Sequence, residues 1–193
     1  MENKTFTPEQ ALHTIEQSIK ETQTISTGAA YYFKLWGALL FIHFMLNAIR
    51  LAYPAIASTW LVNVSILVFP LGGILSGMRK KFDKKTETVV PMFEKIYFSA
   101  FITFALAYAV LFVTSLRNNP IDAVIYFPLL LGITVMICGL LTQFKPGIFG
   151  GIISIFCFGF STQALPDMIY VSAAIAALLA CFIPGILMKG KHV

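Results

Sequence analysis

Charge is what this sequence lacks. Asp, Glu, Lys and Arg make up 12% of its 193 residues, against about 25% in a soluble globular domain. Too little charge remains to coat a water-facing surface. With 18 Phe and a mean hydropathy of +0.79, lipid becomes the expected solvent for most side chains. Cysteine is scarce too. Cys138, Cys157 and Cys181 form no CxxC pair, which argues against a disulfide framework and a zinc site and leaves them as small buried hydrophobes. No basic start followed by an apolar leader opens the chain, so insertion is expected to be driven by the first apolar span. Catalytic signatures are missing: there is no HExxH, GxSxG, P-loop or paired-Asp motif. His13, His43 and His192 are dispersed. No enzyme activity, metal or cofactor is expected. No acid sits at a span centre, which removes the usual carboxylate relay of a proton or sodium pump.

What is there is organised around Arg79-Lys80-Lys81-Phe82-Asp83-Lys84-Lys85. This dense charge lies between two long apolar stretches. It cannot cross a bilayer, and basic loops stay on the cytoplasmic side. Fixing it there orients every other loop by alternation. With both termini inside, Lys4, Lys20, Lys34, Arg79, Lys80, Lys81, Lys84, Lys85, Lys95, Lys145, Lys189 and Lys191 are cytoplasmic. Those are twelve of the fourteen basic residues, leaving Arg50 and Arg117 outside. The net charge of +5 therefore serves topology and anionic headgroups, with Arg79, Lys80, Lys81, Lys84 and Lys85 as candidate headgroup contacts, rather than nucleic acid.

The expected fold is all-α. Apolar runs of about 20 residues, the length a bilayer demands, fall at 31–49, 57–78, 97–116, 122–142, 146–164 and 168–188. They predict six transmembrane helices in a 31–188 domain, followed by a short tail, 189–193. Ahead lies a cytoplasmic segment, 1–30. There Thr7-Pro8-Glu9-Gln10 reads as a capped helix start, and Leu12, Ile15 and Ile19 follow at helical spacing. This predicts an amphipathic helix over 8–24. Its Glu excess suits a protein surface better than an anionic membrane. Ser26-Thr27-Gly28 is expected to break it from the first span, and the basic loop is expected to run to Lys95.

Two GxxxG pairs, Gly73/Gly77 and Gly147/Gly151, let backbones approach where lipid gives no hydrophobic drive. They fit internal seams or, alternatively, a dimer contact. Pro70, Pro128 and Pro184 lie inside spans and should kink them or free a carbonyl. In span one Trp36, His43, Asn47 and Arg50 fall within about 60° on one helical face. Polar groups in lipid turn toward the bundle. Asn63 and Tyr108 lie at a depth similar to His43, and Tyr126, Gln163 and Tyr170 lie nearer the outer edge. Two readings stand: interhelical hydrogen bonds, such as His43 to Asn63, or an outward-opening polar pocket formed by His43, Asn47, Asn63, Tyr108, Tyr126 and Gln163.

Three segments, Thr7-Pro8-Glu9-Gln10-Ala11-Leu12 with Ile15-Glu16, Phe33-Lys34-Leu35-Trp36-Gly37, and Phe144-Lys145-Pro146 to Gly150-Gly151, together with Ile183-Pro184-Gly185-Ile186-Leu187, resemble a family of small uncharacterised bacterial membrane proteins. The resemblance implies a six-span inner-membrane protein and no activity. The functional expectation is a non-enzymatic protein of the bacterial inner membrane. Beyond the lipid bilayer, its partners would be a cytoplasmic protein or a second copy, met through residues 8–24 and 79–95. The alternative is a small-solute transporter or substrate-binding subunit using the outer pocket.

Overall fold

The computed structural model describes residues 8–54, 59–83, 92–116 and 119–188, with side chains at Leu12, 30–54, 64–79, 96–116, Asn119 and 121–188. The chain forms α1 (Pro8–Ala52), α2 (Thr59–Asp83), α3 (Met92–Ser115), α4 (Pro120–Leu141), α5 (Lys145–Ser161) and α6 (Pro166–Ala177). A π-helical turn (Leu178–Phe182) and a short α7 (Ile183–Leu187) complete the last rod. The helix start at Thr7, the residues Lys84, Lys85, Arg117 and Asn118, and the 189–193 tail lie outside the described residues. So do the side chains of Lys80 and Lys81.

Two expectations about boundaries are corrected. Ser26-Thr27-Gly28 does not break the chain, because α1 is a single helix of 45 residues. Holding Ser, Thr and Gly in a helix interior costs about 2 kcal/mol in propensity. Stopping and renucleating costs about 4 kcal/mol at a nucleation constant near 10⁻³, so continuation wins. The basic segment is also not a loop from 79 to 95, since α2 runs on to Asp83 and α3 begins at Met92. Lys and Arg are good helix formers, and cations suit the negative end of α2.

Consecutive long helices run antiparallel. Trp36 lies by Gly72, and Arg79 stands 5.3 Å over the Tyr31 ring, so α2 ends where the span of α1 begins. The Phe33 ring meets Tyr97 edge-on, the Tyr97 hydroxyl lies 2.9 Å from Thr142 Oγ1, and Gly185 abuts Lys34. All these groups mark one end of the bundle. α1, α4, α5 and α6 form its centre, with α3 laid on α4. Among the described residues α2 touches α1 and no other helix.

The side chains are distributed inside out. Along α5, Gly147, Gly150, Gly151, Ser154 and Ser161 are buried, whereas Phe149, Phe156 and Phe160 are 64%, 75% and 61% exposed. Water would penalise this arrangement, whereas lipid favours it, because association in lipid depends on close backbone packing. Among the described residues four helical stretches, Ala30–Ala52, Ile96–Ser115, Ile121–Leu141 and Pro166–Leu187, are long and apolar enough to cross a membrane, and Val64–Arg79 and Lys145–Ser161 are shorter apolar stretches. The protein is membrane-embedded.

Backbone contact builds the seams. A Cβ on Gly37 would overlap the Phe182 backbone, and one on Gly132 would stand 2.7 Å from the Gly151 carbonyl. Pro184 has no N–H for the usual helical bond. The turn before it widens, and Ile183 N–H reaches back five residues to the Leu178 carbonyl. Between α4 and α5, Gln143 N–H donates to Leu140 O and Phe144 N–H to Gly139 O. This is a Schellman closure with Gln143, rather than glycine, at φ 53°. Asn119 caps α4 by accepting from Ile121 N–H.

Candidate functional site

The most connected polar group sits between α1 and α2. Helical spacing puts His43 and Asn47 one turn apart, and α2 brings Ser65 to both. His43 Nδ1 is 3.0 Å from the Ser65 carbonyl and 3.1 Å from Ser65 Oγ. A carbonyl can only accept, so Nδ1 carries the hydrogen. Asn47 Nδ2 donates to the His43 carbonyl and to Ser65 Oγ, both at 2.9 Å, which uses both amide hydrogens. The rings of Phe44 and Phe69 flank the imidazole edge-on, at 5.1 and 4.9 Å between centroids. Asn47 and Ser65 are buried. The cluster is a clasp: its groups answer one another and pin α2 to α1.

The other expected pocket residues are scattered. The Asn63 side chain lies outside the described residues, and the partner that His43 finds on α2 is Ser65. Tyr108 stacks on Phe104 and meets Phe127 edge-on. Tyr126 is 44% exposed and leans on Phe158 of α5. Gln163 is exposed in the turn after α5. Tyr126 and Gln163 thus face outward, away from the clasp. A helix turns about 100° per residue, so Phe127 enters the core and its neighbour Tyr126 faces out.

Ser65 was missed by sequence reasoning, although a signal existed. Ser65, Val68, Gly72 and Ser76 recur at spacings of three, four and four, tracing the α1-facing stripe. Ser65, Val68 and Gly72 are buried and Ser76 is half-buried. The GxxxG pair beside it, Gly73 and Gly77, has open space where a Cβ would stand.

Other helix pairs carry polar ties of their own. Ser154 Oγ donates to the Pro128 carbonyl at 2.8 Å, joining α5 to α4. Ser172 Oγ donates to the Cys157 carbonyl at 2.9 Å, and Ser161 Oγ lies 2.9 Å from both. Thr142 donates to Cys138 O, so the Tyr97 hydroxyl donates to Thr142. Cys138, Cys157 and Cys181 are free thiols, the first and last buried. Among the described residues no group of three or more His, Cys, Asp or Glu is placed to hold a metal ion.

No protein-family profile, curated protein or solved structure matches this chain.

Proposed function

We propose that the chain crosses a bacterial inner membrane six times with both termini cytoplasmic. In this reading it acts without catalysis, by presenting the N-terminal part of α1 and the basic 79–95 segment to a cytoplasmic protein partner. The observation that carries the reading is the continuity of α1 from Pro8 to Ala52. Its apolar portion begins at Ala30. About 22 residues therefore extend the span as a rod of about 33 Å at 1.5 Å per residue. Leu12 on that rod is 63% exposed, and Ile15 and Ile19 follow it at offsets of three and seven. Such spacing suits docking of a second helix.

The six-pass layout draws support from the antiparallel order of α1 to α6 and from the clustering of Tyr31, Lys34, Arg79 and Tyr97 at one end. A cation over an aromatic ring is the pairing expected at a membrane interface. The solute-binding alternative is disfavoured because His43 Nδ1, both Asn47 amide hydrogens and Ser65 Oγ are engaged with one another.

In-cell crosslinking with a membrane-permeant amine-reactive reagent, which still finds the lysines of the 79–95 segment when the rod is removed, tests the reading. Removal of residues 1–25, and separately Gly28→Pro, is expected to abolish the crosslinked species while the protein still inserts. An unchanged set of crosslinks in both variants would refute it.

A further inference from the structure

The clasp leaves one of its own atoms unanswered. His43 donates through Nδ1 to the Ser65 carbonyl, and Ser65 Oγ lies against the same nitrogen. With the hydrogen held on Nδ1, the other ring nitrogen, Nε2, carries a lone pair and can only accept. Among the described residues the hydrogen-bonding contacts of the ring are those of Nδ1 alone. The side-chain polar atoms there that are both enclosed and unpartnered are Arg50 Nε and Ser76 Oγ. His43 Nε2 is not one of them, so it keeps accessible surface on a half-buried ring.

Depth decides what can reach that nitrogen. The apolar part of α1 runs from Ala30 to Ala52, and His43 stands two residues past its midpoint, about 3 Å along the axis. Accessible surface at that level meets hydrocarbon. An acceptor left unmade in hydrocarbon is costly. The missing partner therefore carries an O–H or N–H donor and dissolves in the bilayer core. Phospholipids, diacylglycerols and fatty acids hold their polar groups at the interface, about 15 Å away, half the thickness of the core. A metal ion would need more ligands, and among the described residues no group of three His, Cys, Asp or Glu is placed to supply them. The surroundings favour an aromatic molecule. The Phe69 ring lies 4.9 Å from the imidazole between centroids and is 43% exposed. Among the described residues α2 touches only α1, so no third helix covers the outer side of that ring. A second aromatic ring can pack there face-offset or edge-on.

We infer that His43 Nε2 and the exposed flank of Phe69 form a lipid-facing site for a quinol, the reduced dihydroxy-aromatic headgroup of a membrane-soluble quinone. One quinol hydroxyl donates to Nε2, and the quinol ring packs on Phe69. The oxidised quinone has acceptors but no O–H, so the site selects the reduced form. Binding involves no redox step. The site rests on the embedding of the chain in lipid and not on the cytoplasmic rod, so the two readings fail separately.

The test is calorimetric titration of the full chain in lipid nanodiscs with three ligands: decylubiquinol kept reduced under argon, decylubiquinone, and the dimethyl ether of the quinol, which keeps the ring but has no O–H. The wild type is expected to bind the quinol about tenfold more tightly than either comparator, the worth of one hydrogen bond. His43→Asn can still donate to the Ser65 carbonyl through its amide but lacks an acceptor where Nε2 stands. It is expected to bind all three alike. Phe69→Leu is expected to weaken all three about threefold and keep the preference. Equal binding of the three ligands by the wild type, or a quinol preference that survives in His43→Asn, overturns the site. If His43→Asn does not fold, nitrogen NMR of the wild type decides. The His43 Nε2 signal is expected to move with decylubiquinol and to stay with the ether, and a signal that ignores the quinol overturns the site.

Discussion

α2 and α5 are both apolar helices with a GxxxG pair, yet they occupy opposite situations. α5 is enclosed between α4 and the last rod. Its Gly151 faces the Gly132 carbonyl across the α4 seam, and its Gly150 faces the Leu179 carbonyl. Among the described residues α2 leans on α1 alone, and Gly73 and Gly77 look onto empty space. The two motifs differ in what lies opposite them. A GxxxG permits two backbones to approach, but it does not supply the second backbone. On α2 that contact comes from the neighbouring stripe, where Gly72 fits under Trp36 and Leu39 and Ser65 takes the His43 clasp. The difference also separates two modes of attachment. α5 is held by close packing with one hydroxyl tie to α4, whereas α2 is held by a polar clasp and a single packed stripe against α1.

The strongest way to break this comparison is to enlarge the glycines. Gly151→Val drives a side chain into the Gly132 carbonyl and the Met136 backbone, 2.7 and 2.8 Å from the new Cβ. It should cost about 3 kcal/mol or more in detergent unfolding. Gly77→Val should stay within about 0.5 kcal/mol, and a large loss there would reveal a partner for α2 that the monomer does not contain. A middle-sized effect separates the two attachments. His43→Ala removes the ring that holds Ser65 and is expected to cost about 2 kcal/mol, with a cysteine introduced on the buried stripe of α2 as Val68→Cys becoming accessible to thiol labelling. Ser154→Ala removes one tie among many contacts and should cost about 0.6 kcal/mol. Equal labelling of Val68→Cys with and without His43→Ala would contradict the clasp. The smallest effect lies at the entry to α5. Gln143→Gly relieves a left-handed residue but frees the unfolded chain, so a net gain of about 0.5 kcal/mol is expected, read as a higher melting temperature.

Much of the architecture is legible because lipid imposes a simple rule on composition. Helices lie where the apolar runs lie, and α4 and α6 begin at Pro120 and Pro166, two residues ahead of the expected 122 and 168, because proline's fixed φ and missing donor suit a first helical position. The failures share a cause as well. Ser26-Thr27-Gly28 carries the residues of a break, but local propensity lost to the cost of a new nucleus. Gly73/Gly77 carries the letters of a seam, but only the third dimension decides which face meets α1. Ser65 is a small hydroxyl in an apolar run, and its role depends on a histidine 22 positions earlier. The grouping of His43 with Tyr126 and Gln163 compared depth without azimuth. Depth follows from counting residues, whereas azimuth depends on how neighbouring helices roll.

The unbroken α1 has a mechanical consequence. A continuous rod held in the bundle from Ala30 onward and running back to Pro8 can act as a lever. If the clamped part tilts by about 10°, the end near Pro8, about 33 Å away, swings by about 6 Å. Whatever grips that tip would register small rearrangements among the spans as large displacements, and would impose its own pull on them in return.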